Sequence, residues 1–281
     1  MADLGGFTFD GTHSSTYNGT IKSINRVLLP PTSPREVQLL RRHGVYNFND
    51  ETYRKRIIEV TLTFYSTNQV NAMQLARQVA EWLDSISAPK KLVFDNEGDK
   101  FYYAKLHAPV SLLPEAGIIT AYIRFDCQPF AYNDFLTGQD VAWGDAEFTW
   151  LTDYRWGGSS LYTSSLSGAG SLVFNHDGTQ AISGRSPLEG QSLIRLDGSW
   201  DELIVTLNGK SITHSAVTSS KELVIDNLNY TIELDSVNAL ADCSGDLEDF
   251  LTIEPGSNTI AISGTSLGSI DLTVDFRPEW R

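Results

Sequence analysis

At 281 residues and 31.1 kDa the chain exceeds what one ordinary core takes up and suits two domains of ordinary size. Its composition is globular, 41% hydrophobic and 20% charged, but 21 Lys and Arg against 35 Asp and Glu leave a formal charge of −14. That balance argues against nucleic acid or anionic lipid as the main partner, since phosphate would be repelled and no concentrated basic surface offsets it.

The opening Met1–Gly6 has no basic segment followed by an apolar run, so it does not read as a secretory signal. No stretch of about 18 apolar residues occurs, so no spanning helix and no membrane insertion are expected. Charge then changes along the chain. Up to Asp134 there are fourteen basic and fourteen acidic residues, and after it seven and twenty-one, so the whole net charge lies in the second half. Gly and Ser also thicken there, in Trp156–Ser160 and Ser164–Ser171. Two modules follow. Strand-like alternation lapses over Tyr132–Val141, which puts the boundary near residue 135 and gives domains 1–134 and 135–281.

In the first domain Ile58, Val60, Leu62 and Phe64 alternate with polar residues, the period of a strand with one buried face, and Arg54–Arg56 reads as its solvated end. Leu75, Val79, Trp82, Leu83 and Ile86 recur at helical spacing over 71–85, and Ala88-Pro89 supplies the stop. Lys91–Asp95 and Lys100–His107 flank the polar loop Asn96–Asp99, which suits a hairpin. Ile119, Ala121, Ile123, Phe125 and Cys127 alternate again. One helix against a mostly antiparallel sheet makes this domain α+β.

Beyond residue 147 short β-prone runs recur: Leu172–Phe174, Leu193–Leu196, Leu203–Leu207, Leu223–Ile225, Ile232–Leu234, Asn258–Ile262 and Ile270–Phe276. Between them stand the turn pairs Asp177-Gly178, Asp197-Gly198, Asn208-Gly209 and Pro255-Gly256. With no strict repeat visible, the pattern predicts an all-β sandwich.

Catalytic chemistry leaves little trace. His13, His43, His107, His176 and His214 are scattered singly, and His13 beside Ser14-Ser15 reads as a surface turn because no Gly-x-Ser-x-Gly elbow accompanies it. Asn175–Thr179 reads as a hairpin turn rather than an ion-binding loop, lacking the further spaced oxygen ligands of a calcium site. Asp246–Phe250 reads as a solvated turn, and the glycine pairs lack a phosphate-loop context. Cys127 and Cys243 have no partners at zinc or redox spacings and read as small apolar fillers. No metal, no cofactor and no enzymatic activity are expected.

Two features suggest binding. Trp143, Phe148, Trp150, Tyr154, Trp156 and Tyr162 gather at the entrance to the sandwich. Exposed, they would stack on sugar or anchor a partner; buried, they are core. Trp150, Tyr154 and Trp156 are the candidate ligand or partner surface. The second feature is the basic cluster Arg35–His43, either a solvated loop or a subunit contact with an acidic neighbour.

The segments Phe7–Ser15 and Asn25–Pro30, then Arg42–Gly44, Tyr53–Val60, Glu81–Leu83, Lys91–Asp95, Lys100–Leu106 and Phe125–Tyr132, resemble in order the N-terminal part of distal tail proteins of siphophages and related prophages. Phe250–Ile260 and Phe276–Arg281 resemble that family's closing strands. The resemblance implies a structural virion protein at the distal end of the tail. Its N-terminal belt domain would form a hexameric ring between the tail tube protein and the tail-tip or baseplate hub. Its C-terminal galectin-like, carbohydrate-binding-module-like sandwich would project outward to support receptor-binding protein or meet cell-wall carbohydrate. A ring needs segments covered by the neighbouring copy, and the Pro-rich loop Ile21–Tyr46 and the 95–100 hairpin are the candidates. Arg35, Arg41, Arg42, Asn96 and Asp99 are the residues expected at that interface, with charge reversal at Arg41 and Arg42 expected to weaken assembly. The alternative function is a carbohydrate-binding host-adhesion module.

Overall fold

Because Ile58, Val60, Leu62 and Phe64 all point to one side, the strand carrying them becomes the spine of the first sheet; all four are at most 2% exposed. The computed structural model describes the chain apart from residues 1–4, 39, 42, 44, 49–51, 67–68, 85, 87, 108–110, 116–117, 134–160, 188–191 and 249. Contacts divide it into two compact units, residues 1–131 with Arg281, and residues 132–280.

The first unit contains β1 (Phe7–Phe9), β2 (Thr12–His13), β3 (Gly19–Arg26), β4 (Thr32–Ser33), β5 (Glu36–Val37), β6 (Tyr46–Asn47), β7 (Thr52–Tyr53) and β8 (Arg56–Tyr65). Helix α1 (Gln69–Trp82) follows, then β9 (Lys90–Phe94), β10 (Lys100–Leu106), β11 (Ser111–Glu115) and β12 (Ile118–Cys127). Strand β13 (Ala131–Asn133) spans the point of division. The main sheet runs β2-β1-β9-β10-β12-β8-β3, its neighbours antiparallel, with β11 on the edge of β12 that β10 leaves free. The alternating residues of β12 all face the core, from Ile119 to Cys127. A hydrogen bond from Ile21 N–H to Gly5 O at 3.4 Å draws the β3 edge toward the segment entering β1, so the sheet curls on itself.

Three expectations are corrected here. The helix ends at Trp82, and Ile86, which continues its apolar spacing, lies past the end and is 88% exposed. Arg56 is no solvated flank: it opens β8 opposite Cys127, is buried, and donates from Nη1 to the Tyr102 hydroxyl at 3.4 Å. The loop expected from Ile21 begins only after Arg26, because Ile21–Arg26 pairs with β8 through a bulge between Ile21 and Ser23.

The second unit is a β-sandwich. Its strands are β14 (Leu161–Ser167), β15 (Gly170–His176), β16 (Ser192–Trp200), β17 (Glu202–Leu207), β18 (Lys210–His214), β19 (Thr218–Asp226), β20 (Thr231–Leu234), β21 (Val237–Asn238), β22 (Cys243–Gly245), β23 (Gly256–Thr265), β24 (Ser269–Phe276) and β25 (Glu279–Trp280). Among the described residues one sheet runs β14-β24-β16-β19-β20-β21 and the other β15-β23-β17-β18-β22. All seven runs expected from sequence fall on strands, and their inward residues make one core around Trp200, Phe174, Phe276 and Ile260. Asn208-Gly209 is the hairpin turn between β17 and β18, with both residues at positive φ (50° and 88°), as such a two-residue turn requires.

Two of the other three Gly turns differ. Asp197-Gly198 lies inside β16, where a bulge falls between Gly198 and Trp200; a Cβ at Gly198 would meet Ser269 O at 2.6 Å. Asn175–Thr179 is no hairpin: β15 pairs with β23, and the chain beyond it bridges from Gln180 to Glu279.

Candidate functional site

After β3 the chain leaves the sheet as an arm. Thr32 and Ser33 pair with Tyr53 and Thr52, and Glu36 and Val37 with Asn47 and Tyr46, so these four short strands make a narrow two-stranded ribbon. Backbone bonds from Arg54 N–H to Pro31 O (2.7 Å) and Phe48 N–H to Arg35 O (3.1 Å) hold its base and middle. Tyr46 packs edge-on against Phe48 at 5.0 Å, and the Arg35 guanidinium stands 5.3 Å from the Phe48 ring. An isolated two-stranded ribbon is marginal in water. The arm also exposes Val27, Leu28 and Leu29 ahead of the ribbon and Val37, Leu40, Val45, Tyr46 and Phe48 on it, with Leu28 88% and Leu40 91% accessible. Arg41, beside Leu40, sits exposed at φ 63°. Arg42 lies outside the described residues.

The 95–100 hairpin is tied to the arm's base by a residue that sequence reasoning missed. Arg26, the last residue of β3, donates to Glu97 Oε2 at 2.6 Å and to Asn96 Oδ1 at 3.0 Å, with its guanidinium 4.1 Å over the Phe94 ring. Some seventy residues separate these partners, and no local pattern announces them. Asn96 is exposed, whereas Asp99 is buried against the equally buried Lys100 at 3.1 Å. The Asp99 side chain therefore faces inward.

At the start of β9 lies a cleft of about 590 Å³ lined by Asp10, Thr12, Tyr17, Glu81, Trp82 and Lys90, among others. Trp82 makes its floor. The indole stacks on Phe7 at 5.2 Å, meets Tyr17 at 5.1 Å and donates its N–H to Phe9 O at 2.9 Å. Lys90 and Asp10 pair at 2.7 Å on the rim, and Glu81 is exposed.

His13 has a role that adjacency alone did not reveal. Its Nδ1 accepts the Ser15 backbone N–H (3.2 Å) and meets Ser15 Oγ at 2.7 Å, capping the short 3-10 turn Ser14–Tyr17. An acceptor Nδ1 leaves the ring proton on Nε2, which lies 3.1 Å from Asp95 Oδ1. Asp95 also accepts the Gly6 N–H. The Ser15, His13 and Asp95 set is thus a helix cap joined to the β9 end.

Burial and local ion pairs account for the shifts of Cys127, Cys243, His176, His214 and Asp126. Burial pushes the Cys127 thiol up to about 12 and the Cys243 thiol up to about 11, so both are poor nucleophiles. His176 and His214 are buried, and burial lowers both. Burial pushes the Asp126 carboxyl up, but the bond and charge of Lys55, with His107 beside it, outweigh that and hold it below the ordinary value. Among the described residues no cluster of His, Cys, Asp and Glu has a metal-holding arrangement, and no helix is long and apolar enough to cross a membrane.

Trp150, Tyr154 and Trp156 lie outside the described residues, as do Trp143 and Phe148. Of the six clustered aromatics, Tyr162 is described: it stacks on Phe276 (6.1 Å, 3°) and donates its hydroxyl to Asn175 O, which makes it part of the sandwich core.

Two family models match the chain. A phage tail protein RIFT-related domain covers residues 13–127, and a siphovirus-type tail component C-terminal domain covers residues 183–280, so together they take in most of the sequence in a single order. The chain belongs to the distal tail protein family of siphophages. It is a structural component of the phage tail. The fold agrees with the crystal structure of the SPP1 Dit (gp 19.1) protein, described as a paradigm of the hub adsorption apparatus in phages infecting Gram-positive bacteria. The TM-score is 0.67 at 13% identity, over 98% of this chain and 99% of that one. No curated protein matches in sequence.

Proposed function

We propose that this distal tail protein works without catalysing a reaction, as a hexameric ring between the tail tube and the tail-tip hub. Residues 1–134 act as the belt, and the sandwich from residue 135 onward carries or supports the host-adhesion components. The observation behind this reading is the arm. An arm with eight large apolar side chains exposed between residues 27 and 48, five of them on its marginal ribbon, gains most by being covered, and a second copy of the same chain covers it in a closed assembly. The charge distribution agrees. The belt residues balance fourteen cations with fourteen anions, so copies can approach without net repulsion, while the acidic sandwich keeps the assembly dispersed.

The test is absolute mass by light scattering over a concentration series, with negative-stain images of the leading peak. Six-subunit rings are the expected result. A monomer at every concentration, with and without the purified tail tube protein, overturns the ring.

A further inference from the structure

Resting on the ring reading, we infer that the arm tip of one copy, Leu40-Arg41, docks in the Trp82 cleft of the next, with Arg41 paired to Glu81.

The two surfaces complement each other in charge and shape. Among the described residues neither Arg41 nor Glu81 makes an ion pair, and both are exposed. The other charges of the cleft, Asp10 and Lys90, already neutralise each other at 2.7 Å, so Glu81 is left as its uncompensated charge. Beside it the half-buried Tyr17 ring, backed by the buried Trp82, offers an aromatic surface on which a guanidinium stacks while its N–H groups reach a carboxylate. Leu40, 91% exposed on the arm, supplies an apolar group to the same surface.

Position also fits. Arg26 ties the arm's base to Glu97 and Asn96, just beyond the C-terminal end of β9, whereas Lys90 on the cleft rim opens that strand. Base and cleft therefore lie at opposite ends of β9, separated by about 13 Å of strand. From Ser33 to Val37 the paired part of the arm reaches out roughly 13 Å, and Leu40-Arg41 lies beyond it. Two different patches on one subunit, one protruding and one recessed, make a heterologous contact, and a heterologous contact repeated by rotation closes a ring.

The experiment uses the full chain carrying Cys243→Ser, so that the half-buried native thiol is removed and the buried Cys127 remains. Arg41→Glu and Glu81→Arg are each expected to raise the concentration for half-assembly about tenfold, and the two together to restore most of it. Leu40→Cys with Gln78→Cys, on the exposed helix face lining the cleft, is expected to give a disulfide ladder of subunit multiples under oxidation. Thermal melts of the monomers should be unchanged, since both charges are exposed. Rings of unaltered mass that neither weaken on single reversal nor form a ladder overturn this contact while the ring stands. Absence of rings in the unsubstituted chain, with and without the purified tail tube protein, overturns both.

Discussion

The Trp200 indole donates its N–H to Nδ1 of His214 at 3.0 Å, inside the sandwich core. The bond fixes the tautomer: Nδ1 carries the lone pair, and the ring proton is on Nε2. Both residues are 1% exposed, so each depends on the other for a hydrogen bond in an apolar setting.

Replacing His214 by Leu leaves the Trp200 N–H buried without an acceptor. The expected cost is about 2 kcal/mol, read as a lower urea midpoint at constant slope. An unchanged midpoint would mean that the indole finds another acceptor.

Acid should weaken the sandwich in a window set by its histidines. His176 is 1% exposed and faces Phe276 edge-on at 5.5 Å; burial lowers its pKa from 6.5 to about 4, and the Glu254 backbone beside the ring offsets only part. The unfolded chain takes up a proton near pH 6.5 and the folded chain only near pH 4, so stability falls as pH drops between those values. The loss is on the order of 3 kcal/mol by the bottom of the window. His214 is shifted the same way and adds to it. The first unit has its own acid response: as pH falls below 3.8, protonation of the lowered Asp126 removes stability from that unit. Chemical denaturation at pH 7, 5.5 and 4.5 should show the decline, and His176→Leu should flatten it; an equal slope in that variant would remove His176 as the cause.

Trp82 holds the helix to the first sheet through Phe7 and Phe9. Trp82→Ala is expected to cost ~4 kcal/mol. Trp82→Phe should recover most of the packing but not the bond to Phe9 O, leaving a deficit of about 1 kcal/mol. Denaturant midpoints of the two variants separate the contributions.

Arg26→Lys preserves charge at the arm's base but cannot reach Glu97 and Asn96 together or stack flat on Phe94. Hydrogen exchange should quicken in the 95–100 hairpin and in β3 while the sandwich stays protected. Exchange unchanged in both segments would show that packing, rather than the guanidinium, orders them.

Strands were legible because one-sided burial writes a period of two directly into the sequence, as from Ile119 to Cys127. The helix end was not, since Leu83 and Ile86 extend the apolar spacing past the last helical residue, and spacing carries no record of where hydrogen bonding stops. Asp197-Gly198 carries a genuine turn signal that loses to pairing with β19 on one side and β24 on the other; Gly is needed there for the close approach of Ser269. The basic arm could be read locally, from Arg35 and Arg41. The cleft could not, because Asp10 and Lys90 meet across 80 residues of chain. His13 and Asp95, 82 apart, are hidden in the same way.

The two thiols carry a consequence for durability. With pKa values pushed to about 12 and about 11, fewer than about one in a thousand is ionised at neutral pH, and thiolate is the form that oxidants and disulfides attack. Neither thiol of this tail component is therefore a ready entry point for oxidants outside the cell.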